Sequence, residues 1–137
     1  MEINEIGEFG LIDRLTKGLP THNASTLMGP GDDCAVIDSG DKLTLITSQI
    51  FMEGVQFDLT YIDMEHLAYK AVIATISNVF AMNGTPRQLT VSIGLGKRFK
   101  VEDLDAFYQG LQKACDKWGV DIVGGDTTSS FTGLAMA

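Results

Sequence analysis

Two long helical patterns, Asp63 to Met82 and Val101 to Trp118, restrict the fold more than any other feature, because one strand-like run, Gln88 to Leu95, lies between them. In the first pattern Leu67, Ala71, Ala74, Ile76 and Val79 supply the apolar stripe, Asp63 is placed to cap, and Asn83-Gly84 with Pro86 end it. The second opens on Glu102, Asp103 and Asp105, whose carboxylates suit the positive end of a helix dipole. Shorter elements surround this unit. Ile6, Phe9, Ile12 and Leu15 recur every three residues between Glu5 and Lys17, which predicts an amphipathic helix stopped by Gly18 and Pro20. Leu19 to Gly31 is polar and reads as an exposed loop. Cys34 to Ile37 and Leu43 to Ser48 predict a hairpin through Ser39-Gly40-Asp41, and Asp121 to Val123 and Gly133 to Ala137 predict two short strands. The expectation is an α+β fold, a mixed sheet covered on one face by two long helices.

A length of 137 residues with 45% apolar content suits one globular unit with an ordinary core. Ten basic against 18 acidic residues give a formal charge of −8, which argues against nucleic acid and anionic membrane surfaces as partners. It leaves room for a nucleotide if a divalent cation sits between carboxylates and phosphates. Cys34 and Cys115 have no CxxC or Cys/His spacing, so both are expected as small buried residues. No stretch approaches the roughly 20 apolar residues of a membrane span, and a cytoplasmic location is expected. The last predicted strand runs to Ala137 with no cap after it, which reads as a cut at a domain boundary.

Two segments can carry chemistry. Gly29-Pro30-Gly31-Asp32-Asp33 places two carboxylates after flexible backbone, where they suit Mg²⁺; it equally suits a turn whose aspartates cap backbone amides. Gly124-Gly125-Asp126-Thr127-Thr128 allows phosphate to approach the backbone beside a carboxylate and two hydroxyls, or makes a tight strand-to-strand turn.

Taken in order, GDD before an early strand, EGV followed by FDLTY, AMNGTPR at a helix end and IVGGDTT resemble the thiamine-monophosphate kinases, of the superfamily of aminoimidazole ribonucleotide synthetase and selenophosphate synthetase. The resemblance runs from Gly7 through the rest of the chain. It implies an enzyme that passes a phosphoryl group from ATP to thiamine monophosphate, giving thiamine diphosphate, with several Mg²⁺ ions. It further implies a homodimer whose two sheets close into a barrel, and a following domain that completes the nucleotide site. Position by position, Asp33 and Asp126 match metal-binding aspartates, and Thr47 with Ser48 matches a hydroxyl pair at a metal. Tyr108 matches a residue that packs on the nucleotide, and Gly125 with Asp126 a backbone contact to it. Phosphoryl transfer depends on charge neutralisation and alignment, which suits such a set.

Three positions depart from that pattern. Gln49 stands where the family has a metal-holding aspartate, Gln56 where it has a substrate-touching histidine, and Asn78 where it reads aspartate. An amide offers a neutral oxygen and lacks the charge that draws Mg²⁺ from water. Residues 1–137 alone are therefore expected to be inactive or severely weakened as a kinase. The alternative is a catalytically silent dimeric scaffold, natural or engineered, in which loss of like charges stabilises the barrel.

Overall fold

Residues 1–137 are all described by the computed structural model, in which Met1–Ile46 and Thr47–Ala137 cluster as separate units. In the first unit, α1 covers Ile3–Thr16, with the Glu5 carboxylate accepting from the Glu2 amide at 2.9 Å. The anticipated buried face is absent: no α1 residue is buried, and Phe9 is 83% exposed. A repeat of three slips about 60° per step around a helix of 3.6 residues per turn, so those four side chains fan over half its circumference. Gly7, at φ 71° and ψ 178°, also breaks the helical phase among them.

β1 (Thr26–Met28), β2 (Ala35–Asp38) and β3 (Leu43–Ile46) form an antiparallel sheet in that order. The β2–β3 hairpin forms where predicted, with Ala35 opposite Ile46 and Asp38 opposite Leu43. Its loop holds Gly40 at φ 94°, and the Asp38 carboxylate accepts from the Gly40 amide at 3.0 Å. β1 corrects the loop reading of Leu19 to Gly31. Three residues without alternation carry little local signal, and pairing to the free edge of β2 makes them a strand.

The second unit holds β4 (Phe51–Met52), α2 (Met64–Ala81), β5 (Gln88–Leu95), α3 (Val101–Trp118), β6 (Asp121–Ser129) and β7 (Ala135–Met136). Its sheet order is β4-β7-β5-β6: β5 and β6 are parallel and joined through α3, and β7 runs antiparallel to β4 and β5. The sheet is mixed as expected, but the hairpin lies in a sheet of its own rather than in this one. The Asp63 carboxylate caps α2 by accepting from the His66 amide at 2.8 Å, and Asn83, at φ 59°, ends it in the left-handed region. The Asp103 carboxylate accepts from the Lys100 amide at 2.8 Å, and α3 closes on Gly119 at φ 68°.

Phe51, Val91, Ile93 and Met136 of the sheet share one core with Leu67, Val72 and Ile76 of α2 and Phe107, Leu111 and Cys115 of α3. Both long helices thus cover one sheet face, while Thr90, Ser92 and Gly94 alternate to the other. Within α2 the buried stripe is Met64, Leu67, Ala68, Ala71, Val72 and Ile76; Ala74 and Val79 are only half-buried. The helices approach closely at Gly110, where a β-carbon would lie 2.0 Å from the Glu65 carbonyl oxygen. Cys34 and Cys115 are both buried and in no disulfide, as expected, and burial is the main cause that pushes each thiol's pKa up.

Candidate functional site

Thr47, Ser48 and Gln49 lie in the segment without regular structure that leads into β4. Opposite them, Asn78 sits one turn from the end of α2 and donates its amide nitrogen to the Thr47 hydroxyl oxygen at 3.2 Å. The Gln49 side-chain carbonyl oxygen is buried and has no hydrogen-bond partner. Two of the three altered positions therefore flank the Thr47–Ser48 pair, and what they present there is neutral amide.

Gln56, the third, lies in the turn after β4. Gly54, at φ 84°, lets the chain reverse, its amide donating to the Phe57 carbonyl at 2.8 Å. The Gln56 carbonyl oxygen accepts from the Met52 amide at 2.7 Å, so this side chain staples its own turn. Glu53 of the same turn is a residue that sequence reading passed over. Its carboxylate pairs with Arg98 and accepts from the Leu134 amide at 3.2 Å, while its own amide donates to the Leu134 carbonyl at 2.9 Å. The Arg98 hydrogen bond, with help from the Leu134 amide, holds the Glu53 carboxyl below its ordinary pKa. The turn, the segment after β5 and the segment before β7 are fastened at one carboxylate. Nothing in the local spacing of Glu53 and Arg98 announces a partner 45 residues away.

The segment Gly124-Gly125-Asp126-Thr127-Thr128 is not a turn between strands: it lies inside β6, paired in parallel with β5. The misreading has a physical cause. Glycines weaken the strand signal, and the register shift between Leu89 and Thr90 leaves Val123 as an extra residue, 60% exposed. Past this bulge Gly125 faces Val91, and a β-carbon there would lie 1.7 Å from the Val91 carbonyl oxygen. Close strand packing, independent of any ligand, already demands glycine at this position. Asp126 pairs with Ser92 in register, is exposed, and accepts from the Thr127 amide at 2.9 Å.

Tyr108 lies on α3, 39% exposed, with its ring edge-on to Phe107 at 6.0 Å between centroids. A fully buried Phe107 thus fixes the orientation of a ring that has open surface to stack on. Asp33 belongs to the first unit, where its amide donates to the Asp32 carboxylate at 2.8 Å, a capped turn of the kind the sequence allowed. The structure brings Asn78 to Thr47. It does not gather the other site positions on one strand end: β7 and β5 lie between β4, which Thr47–Gln49 enter, and β6, which carries Asp126.

Mg²⁺ was implied by the resemblance, so the donor set matters. A cation at Thr47 would face the amide hydrogens of Asn78, and the neighbouring Gln49 offers only a neutral carbonyl in place of a carboxylate. No group of three or more Asp, Glu, His or Cys side chains is placed to hold a metal ion. The residues present do not fit a cluster of divalent cations. No helix is long and apolar enough to cross a membrane.

Known proteins place this geometry. A thiamine-monophosphate kinase of Aquifex aeolicus (strain VF5) is 34% identical over 130 residues, covering 95% of this chain and 40% of the relative. The thiamine-monophosphate kinase of Bacillus subtilis (strain 168) is 31% identical over 130 residues, 94% of this chain and 40% of the relative. Among solved structures, AaThiL complexed with AMPPCP and TMP has a TM-score of 0.86 at 32% identity, covering 99% of this chain and 41% of its own. The chain thus spans about two fifths of the length of these relatives. The resemblance to thiamine-monophosphate kinases is borne out. Residues 31–136 match the family described as AIR synthase related protein, N-terminal domain, and the chain belongs to that family.

Proposed function

We propose that residues 1–137 are a single amino-terminal ATP-binding domain of the thiamine-monophosphate kinase type, catalytically silent or severely weakened when they act alone. The observation that carries this reading is the likeness, over 99% of the chain, to a relative solved with AMPPCP and TMP. ATP as the phosphoryl donor and thiamine monophosphate as the acceptor come to this chain by that likeness. Tyr108 offers a ring for the nucleotide to pack on, and Gly125 with Asp126 offers backbone beside it. Gln49, Gln56 and Asn78 argue against turnover, since alignment and charge neutralisation carry phosphoryl transfer and these side chains supply no charge. Any Mg²⁺ accompanying the nucleotide is held weakly, with Asp33 and Asp126 as the remaining carboxylates. A cytoplasmic enzyme fits these substrates. The test is calorimetric titration with AMPPCP: binding by the chain and its loss in Asp126→Ala and Tyr108→Ala support the reading, and no binding by a folded chain rejects it.

A second reading, a homodimeric scaffold, is favoured by the uncovered side of the four-stranded sheet. Ile50 and Met52 are 60% and 38% exposed there, and Thr90 and Ser92 alternate to the same side. Two such faces closing into a barrel would bury this apolar surface. Sedimentation equilibrium separates the cases: a dimer disrupted by Ile50→Glu supports it, and a monomer at all concentrations removes it.

A further inference from the structure

We infer that the hydrogen bond from Asn78 to Thr47 is a cation-independent clasp between α2 and the segment entering β4, and that the neutral amides at residues 49 and 78 leave no site for divalent metal there. This rests on the kinase reading only because that reading supplies the metal expected there.

Three observations carry it. The Asn78 amide group donates to Thr47, so hydrogens carrying partial positive charge point at the hydroxyl oxygen a cation would need. Gln49 contributes a buried carbonyl oxygen, without charge and without a partner. A divalent ion held by Thr47, Gln49 and Asn78 would shed water for neutral oxygens alone, against a preference for carboxylates. The hydrogen bond meanwhile joins residues 31 positions apart, which is the service a bridging ion would render. The clasp does that work with no ion, and the Gln49 oxygen is left to a neutral donor such as water.

The inference is tested by Mn²⁺ titration of the intact chain, read from the electron paramagnetic resonance of free Mn²⁺, beside thermal melts in Mg²⁺ and in chelator. Gln49→Ala and Asn78→Ala are expected to leave the Mn²⁺ isotherm unchanged, because neither side chain holds metal. Asn78→Ala is expected to lower the melting temperature equally in Mg²⁺ and in chelator. Gln49→Asp with Asn78→Asp together is expected to lower it in chelator, recover it in Mg²⁺ and add one Mn²⁺ site. A weaker Mn²⁺ isotherm in either folded alanine variant overturns the inference. So does a double aspartate variant that gains no metal, since the amides would then not be what excludes it. Nucleotide enters none of these measurements, so failure here leaves the AMPPCP titration to judge the kinase reading separately.

Discussion

Gly110→Ala is the sharpest probe of how the helical layer is built. A β-carbon on residue 110 would sit 2.0 Å from the Glu65 carbonyl oxygen, 2.8 Å from the Glu65 carbonyl carbon and 3.0 Å from the Ala68 β-carbon. Favourable carbon contacts begin near 3.5 Å, so the overlap is well over an ångström and lies against backbone that cannot rotate away. The helices must part; overpacking costs about 1–3 kcal/mol and occasionally more, and against backbone that must move the expectation is about 2–4 kcal/mol. Alanine recovers up to ~1 kcal/mol in helix propensity over glycine, which offsets part of that cost. The net expectation is a loss of about 1–3 kcal/mol, or a fall in melting temperature of roughly 4–12 °C at about 4 °C per kcal/mol. Calorimetry should show this beside Gln112→Ala, an exposed change on the same helix expected to stay within about 0.5 kcal/mol. A Gly110→Ala chain as stable as the parent, or more so, would refute the close approach of α2 and α3.

Gly125→Ala should disrupt β6 beside Asp126, because its β-carbon meets the Val91 carbonyl oxygen, whereas Gly124→Ala, whose nearest neighbour is the Thr90 methyl at 4.0 Å, should be milder; urea unfolding of the pair ranks them. Glu53→Gln, which keeps an acceptor oxygen for the Leu134 amide but loses the charge, should cost up to about 1 kcal/mol from a partly exposed ion pair. Since the Glu53 carboxyl titrates below its ordinary value in the folded chain, its contribution is complete above the unfolded pKa near 4.5 and is lost as pH falls through the folded one. The acid limb of a stability-against-pH curve should therefore flatten in Glu53→Gln. Phe107→Ala, which removes a fully buried ring from the core, should cost about 3–5 kcal/mol by denaturant midpoint and reduce AMPPCP binding through the loosened Tyr108 ring.

What was legible in the sequence followed from local physics acting over many residues. The long helices were readable from Asp63 as cap and Asn83 as terminator of the first and from the acidic opening of the second, and the structure keeps these ends. The β2–β3 hairpin was readable because its turn residues and strands agree. The face of α1 failed on its three-residue period, and the rest of what failed depended on pairing that no local pattern shows. β1 becomes a strand only through β2, and the glycine-rich half of β6 only through β5 and its bulge. At the site, the residue types of Gln49 and Asn78 announced a loss of charge, but the bond from Asn78 to Thr47 spans 31 residues that no local pattern connects. The Glu53 clamp was invisible for the same reason. Asp126 was singled out by its motif, and the need for the neighbouring Gly125 includes strand packing as well as any ligand approach.

The most direct test of the account is a product assay on residues 1–137: incubate the folded chain with Mg²⁺, ATP and thiamine monophosphate, and separate the products by chromatography. The account predicts at most a trace of thiamine diphosphate, without sustained turnover, even where AMPPCP binds. Thiamine diphosphate formed over repeated turnovers and lost in Asp126→Ala would contradict it, and would mean that neutral amides at residues 49 and 78 suffice for phosphoryl transfer.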